Sequence, residues 1–241
     1  MDNKIRLNKY LADKKIASRR EADDLIKKKQ VMVNGKPAIL GQKINPDEDK
    51  IKIIGQKKSY VYLAYYKGVN IITHSPTDGE IDIATRLNKD YGLSDLPPVG
   101  RLDKSSEGLI IISNDGRVTG PLLSPDNNHE KEYSVLVDKK ITNYFLKNIR
   151  AGVNIEGYVT KPAQAHISQK NDKRFTIILT EGKKHQIRRM CAALGYQVKA
   201  LKRTRIMNIK LGKLKPNQYR NIKDKELNDW LKALGIKKIN L

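Results

Sequence analysis

The chain has 241 residues, of which 39% are hydrophobic, enough to bury one large core or two unequal ones. Charged residues make up 31%, and the formal net charge of +22 points to a polyanionic partner, although a solubilising lysine-rich surface would give the same count. One cysteine, Cys191, excludes an internal disulfide and a multi-cysteine metal site; no N-terminal apolar signal run and no apolar stretch of about 20 residues is present, so a cytoplasmic protein with no membrane-spanning helix is expected.

Apolar spacing at Leu7, Leu11 and Ile16 predicts a first helix over 5–16. Ser18 followed by Glu21 reads as a capping box that starts a second helix from Arg19 to about Lys29. Val31–Val33 is a short strand, Asn34-Gly35 a tight hairpin turn and Lys36–Ile39 the return strand, with a further strand over Lys50–Ile54. Gly55–Ser59 reads as a linker, which bounds a first domain of residues 1–58 and a second of 60–241. The first domain holds 16 lysines and arginines against eight acids, nearly twice as basic per residue as the remainder. Lys9, Lys14, Lys15, Arg19, Arg20, Lys27, Lys28 and Lys29 gather on and around its two helices, a pattern suited to successive phosphates of a folded RNA.

In the second domain, strands are expected at 60–64, 69–73, 109–113, 133–137, 163–167 and 175–180, and helices at 81–91, 141–150, 183–194 and 224–234. Tight turns between strands and the lack of regular alternation predict an antiparallel-rich α+β sheet rather than a doubly wound one. The lysine-rich stretch 210–225 reads as solvated or RNA-facing surface.

The segment Gly100-Arg101-Leu102-Asp103-Lys104-Ser105-Ser106-Glu107-Gly108-Leu109 places one carboxylate between two cations and two glycines. Neighbouring cations keep a carboxylate ionised and nucleophilic, and glycines admit a close backbone approach. On the residues alone, an aspartate in a glycine-flanked surface turn is the more usual reading of such a loop. His185 reads as a helix-start residue bonded to backbone, and His74, His129 and His166 are too dispersed for a metal site.

Two resemblances sharpen this reading. Arg6–Leu11, Ser18–Asp23 and Val31–Lys36 closely resemble, in order, the alpha-L RNA-binding motif named for a small-subunit ribosomal protein, which implies binding to structured RNA through residues such as Lys9, Arg19, Arg20 and Lys27. Gly100–Asp103 with Glu107–Leu109 resembles the signature of pseudouridine synthases of the RsuA/RluB/RluF type, in which the aspartate, here Asp103, is catalytic. His129–Tyr133 resembles the family's lysine-x-tyrosine strand, whose tyrosine, here Tyr133, lies against the target base. Gly182–Met190 resembles the helix start whose first arginine, here Arg188, pairs with the catalytic aspartate. Leu201–Ile206 resembles the closing strand, with Leu201 packed under the active site. The runs Asn128–Tyr133 and Arg203–Asn208 are most similar to the RluF group, which acts on large-subunit ribosomal RNA.

The resemblance implies conversion of uridine to pseudouridine in bacterial ribosomal RNA, with no cofactor and no metal, by a monomer. The glycosidic bond breaks, the base turns, and it rejoins through carbon 5. Asp103 either attacks carbon 1′ or removes the 2′ proton, and both routes stay open. The target uridine must be flipped from a stem-loop, with Arg101 holding the flipped form. Lys67 belongs to a stretch preceding the first motif, where the family has Asn-Lys-Pro and then a glycine two residues on. Tyr66-Lys67-Gly68-Val69-Asn70 departs from it, which puts substrate positioning rather than chemistry in question. The rivals are a non-catalytic ribosome-assembly factor, a methyltransferase carrying the same N-terminal module, and a synthase acting on transfer RNA or small-subunit RNA.

Overall fold

A computed structural model describes residues 4–54 and 59–237. The chain divides into two compact units. One runs from the N-terminus to Tyr60 and includes Asp115–Pro121 and the segment from Leu231 onward; the other comprises Val61–Asn114 and Leu122–Trp230. Apart from Ser59, the expected linker lies outside the described residues.

The first unit contains β1 (Ile5–Arg6), α1 (Leu7–Asp13), α2 (Arg19–Lys27), β2 (Val31–Val33), β3 (Lys36–Pro37), β4 (Lys43–Ile44) and β5 (Ile51–Ile53). The helix expected over 5–16 is shorter at both ends. Ile5 and Arg6 are extended because they pair with Ile44 and Lys43 in a two-stranded ribbon, and Lys15 turns left-handed at φ 56°. The capping box forms: Ser18 Oγ accepts from the Glu21 N–H at 3.3 Å, and Glu21 Oε2 accepts from the Ser18 N–H at 3.3 Å. Asn34 and Gly35 both have positive φ, as a two-residue primed hairpin turn requires. The return strand is assigned only to Pro37, short of the expected Ile39, although the Ala38 N–H still donates to the Val31 carbonyl at 2.8 Å. Leu7, Leu11, Ala22, Ile26, Val31, Val33 and Ile44 form one buried cluster beneath these elements.

The second unit is built from β6 (Tyr62–Lys67), α3 (Ile83–Tyr91), β7 (Pro98–Val99), β8 (Glu107–Ser113), the short α4 (Thr119–Leu123) at its margin, β9 (Lys131–Val137), α5 (Asn143–Ala151), β10 (Asn154–Ile155), β11 (Tyr158–Val159), β12 (Gln164–Ser168), β13 (Asn171–Leu179), α6 (Gln186–Ala193), β14 (Val198–Ile206), β15 (Ile209–Lys210), β16 (Tyr219–Asn221) and α7 (Asp224–Ala233). The main sheet runs β12-β13-β9-β14-β8-β6-β16, with β15 on β14 and β7 on β8. All its paired strands are antiparallel except β8 and β14, which run parallel at its centre. The expected mixed, antiparallel-rich α+β architecture is therefore the one observed. Phe145, Ile149, Phe175, Met190 and Cys191 pack α5 and α6 against the β9–β13 half, and Leu63, Ile83, Leu87, Ile110 and Ile112 pack α3 against β6 and β8.

Several elements differ from expectation. The strand placed at 60–64 lies at Tyr62–Lys67, and all six residues are buried, so it lacks the alternation that would have marked its end. No strand forms over 69–73, because Asn70 takes φ 63° and its N–H donates to the Lys104 carbonyl at 2.9 Å. The helix expected from 183 begins at Gln186, since His185 is left-handed at φ 52°. Within the lysine-rich stretch, Tyr219–Asn221 pairs with β6 and is part of the sheet rather than free surface.

Candidate active site

The loop from Gly100 to Ser106 leads into β8, and its path is fixed at both ends. Gly100 has φ 84°, and a Cβ there would approach Leu123 Cδ2 to 2.8 Å. Gly108 has φ 111°, and a Cβ would run into the Arg203 backbone on the parallel neighbour β14. Buried Arg203 ties the two ends together: Nε donates to the Leu109 carbonyl at 2.7 Å and Nη1 to the Arg101 carbonyl at 3.3 Å. Thr73 Oγ1 donates to the Leu102 carbonyl at 2.7 Å and accepts from the Leu102 N–H at 3.0 Å. A residue with both backbone groups taken by one hydroxyl has little freedom, and Asp103 follows it directly.

Lys67 is fully buried and does not reach the cleft surface. Its Nζ donates to the carbonyls of Gly68 at 2.9 Å, Ile71 at 2.7 Å and Lys104 at 3.5 Å. Burial pushes its pKa from 10.5 down to about 8, with the Asp103 charge opposing that fall. The structure thus gives Lys67 a place under the Asp103 loop, where it fastens backbone, and not the substrate-binding place expected of it. The two departures from the resembling motif also have an account. Asn70 adopts the left-handed conformation a glycine would supply. The Gly68 N–H donates to Asn217 Oδ1 at 3.2 Å, a bond that proline cannot make.

Asp103 opens into a cleft of about 420 Å³ lined by, among others, Asn70, Thr73, Glu80, Arg101 and His185. Arg101 is exposed there, as a substrate-holding cation should be. Lys104 is drawn to Glu80 at 2.7 Å, and this pairing, together with the Thr77 hydroxyl and N–H, holds Glu80 down at about 2. The expected Arg188–Asp103 pair is not formed. Arg188 Nη2 donates to the Ser105 carbonyl at 3.1 Å and approaches Ser106 Oγ at 3.5 Å, while Nη1 donates to the Val198 carbonyl at 3.3 Å. The guanidinium is occupied by backbone on the far side of the loop, and the side chain facing Asp103 Oδ1 is His185, with Nε2 at 3.6 Å. His185 also makes no side-chain cap bond to its helix, contrary to the backbone-bonded role expected of it. Arg189 points elsewhere, to the Ile155 carbonyl at 3.0 Å and Glu156 at 2.7 Å.

Tyr133 and Leu201 are buried in the apolar cluster that also holds Val135 and Ile177, and neither lines the cleft. Tyr133 lies opposite Arg203 across the β9–β14 pair, so it neighbours the residue that ties the loop. Sequence reasoning missed Thr73, Arg203 and Asn217 as loop supports. Arg203 is one of four cations in β14 and nothing local marks it as the buried one, and Thr73 and Asn217 likewise carried no local signal. Among the described residues no group of three or more His, Cys, Asp or Glu could hold a metal ion.

In the first unit, Lys9, Arg19, Arg20 and Lys27 are all exposed. Lys9 and Arg19 line a hollow of about 290 Å³ together with Lys4, Arg6, Asn8 and Lys43. Lys15 leaves the basic group, because its Nζ donates to the Leu234 carbonyl at 2.8 Å.

The profile of the RNA pseudouridylate synthase family matches residues 61–193, and that of the S4 domain matches residues 5–49. The chain is 41% identical to the dual-specificity RNA pseudouridine synthase RluF of Escherichia coli strain K12, over 97% of this chain and 80% of that one. The chain belongs to the RNA pseudouridine synthases. An uncharacterized RNA pseudouridine synthase of Aquifex aeolicus is 37% identical over 97% of this chain and 96% of its own length. A crystal structure of a pseudouridylate synthase superposes with a TM-score of 0.69 at 27% identity, covering 94% of this chain and 99% of that one. This pseudouridine synthase thus carries the resembling aspartate in an open, polar cleft at the end of the parallel strand pair.

Proposed function

We propose that the enzyme isomerises a specific uridine of large-subunit ribosomal RNA, with Asp103 as the catalytic carboxylate. The observation that carries this reading is the placement of Asp103. It is a half-exposed carboxylate on a tightly held loop, opening into a cleft that also presents Arg101. Asp103 either attacks carbon 1′ or takes the 2′ proton. In both cases the bond from uracil N1 to carbon 1′ breaks and the base turns; carbon 5 then bonds to carbon 1′ as the Asp103–carbon 1′ bond breaks or as Asp103 returns the 2′ proton, after which carbon 5 loses its proton and N1 gains one. Arg188 acts on this chemistry by holding the Ser105 and Ser106 end of the loop. Tyr133 comes against the base, with Leu201 packed beneath it, only after the flipped uridine opens the apolar cluster that holds both. Arg101 holds the extruded nucleotide.

Residues 1–58 form the RNA-binding domain and 60–241 the catalytic one in this reading. Lys9, Arg19, Arg20 and Lys27 meet phosphates of a structured stem-loop, which is favoured by their exposure and by the hollow that Lys9 and Arg19 share. In this reading the protein acts in the cytoplasm as a monomer. A second RNA substrate is part of this reading, because the similar Escherichia coli protein is named a dual-specificity RNA pseudouridine synthase.

The test is to map pseudouridines in ribosomal and transfer RNA of a strain lacking the gene, then after complementation. Loss of a large-subunit position, restored by wild type and not by Asp103→Asn, is expected. An unchanged large-subunit map would overturn the substrate assignment.

A further inference from the structure

The charged side chain facing the Asp103 carboxylate, at 3.6 Å, is not the arginine expected there but His185, and two features of His185 are not explained by helix capping. Its backbone lies at φ 52° and ψ 26°, a left-handed conformation that a residue with a β-carbon seldom adopts. It occupies the N-cap position of α6, where Ser, Thr, Asp or Asn would bond the first turn, yet its side chain makes no cap bond. The turn before the helix is closed by other groups: the Gln186 N–H donates to the Lys183 carbonyl at 3.1 Å, and the Lys183 N–H to Gln186 Oε1 at 2.9 Å. What the unusual backbone does achieve is to aim the imidazole across the cleft, Nε2 standing 3.6 Å from Asp103 Oδ1.

We infer that His185 is a positioning residue for the pseudouridine synthase reaction, its Nε2–H holding Asp103 Oδ1 so that Oδ2 is presented to the sugar. The inference rests on the reading of Asp103 as catalytic. The loop supports described above fix the backbone on either side of Asp103, but none of them reaches its carboxylate. His185 supplies that missing constraint. A 1 Å error in placing a reacting group costs on the order of a hundredfold in rate, so orientation of one carboxylate is worth a dedicated side chain.

Two measurements on the full chain test this. The protein has four histidines, so the His185 ring signals in a histidine-labelled NMR spectrum are assigned by their loss in His185→Gln. At one fixed pH, Asp103→Asn is expected to move the His185 ring signals and to leave those of the other three histidines in place. Unmoved His185 signals would overturn the pairing, and this readout needs no RNA. The second measurement is tritium release from carbon-5-labelled large-subunit ribosomal RNA transcript. His185→Ala is expected to lower kcat about tenfold or more with KM changed less than about twofold, whereas His185→Gln, whose amide donor has a similar reach, recovers most of kcat. Equal losses in both variants, or a loss confined to KM, would overturn the positioning role. A wild type that releases no tritium would overturn the proposed function while the NMR comparison still decided the pairing.

Discussion

Replacing Lys67 with methionine removes a fully buried ammonium and leaves three carbonyls, those of Gly68, Ile71 and Lys104, without its hydrogen bonds. The consequence for stability depends on pH, and its sign follows from the depressed pKa. Folded Lys67 loses its proton near 8, while the unfolded side chain keeps it to 10.5. Below pH 8 both states are protonated and the folded protein carries the full cost of the buried charge. Between 8 and 10.5 the unfolded state holds one more proton than the folded one, so stability rises with pH by about 1.4 kcal/mol per unit. Over the whole interval the gain is about 3 kcal/mol. Methionine has no such titration. Melting curves of wild type and Lys67→Met from pH 7 to 10.5 should therefore diverge, the wild type gaining about 5–10 °C relative to the variant. Parallel curves would refute the description of Lys67 as a buried cation under the loop. The variant is also expected to turn over more slowly at every pH, since the Lys104 carbonyl directly follows Asp103.

Arg188→Met should reduce kcat strongly and Arg189→Met little, as measured by tritium release, because Arg188 holds Ser105 and Ser106 whereas Arg189 bonds Ile155 and Glu156. Replacing Lys9, Arg19 and Lys27 with alanine should weaken RNA binding and flatten its log–log salt dependence by roughly 0.7 to 0.9 for each phosphate no longer neutralised. Lys15→Ala should leave that slope unchanged and lower the melting temperature, since its Nζ is engaged by Leu234. Gly68→Pro should lower stability by about 1 to 3 kcal/mol in denaturant titration, as Asn217 Oδ1 loses the Gly68 N–H.

The parts legible in the sequence were those with local causes. Ser18 and Glu21 are three apart and close their capping box within one turn, and Asn34-Gly35 sets its hairpin without help from elsewhere. Asp103 was singled out by the resemblance of its segment to a family signature, since its flanking cations and glycines alone read more simply as a surface turn. What could not be read depends on groups far apart in the chain. Arg188 has the carboxylate of Asp103 and the carbonyl of Ser105 within the same short loop, and nothing in its own surroundings in sequence says which it takes. The Thr73 hydroxyl meets Leu102 across 29 positions, Asn217 meets Gly68 across 149, and Lys15 meets Leu234 across 219. The strand expected at 69–73 was misread for a related reason. Its apolar residues fit an extended segment, but the backbone at Asn70 is bent to reach Lys104, a hydrogen bond made possible by tertiary structure.

Asp103→Asn bears on the catalytic carboxylate more closely than any other change, because the amide keeps the shape and loses the charge. Wild type and variant should bind carbon-5-tritiated large-subunit ribosomal RNA with similar affinity, and the variant should release no tritium above background. Release within about tenfold of the wild-type rate, a barrier difference of only about 1.4 kcal/mol, would contradict the assignment of Asp103 as the catalytic group.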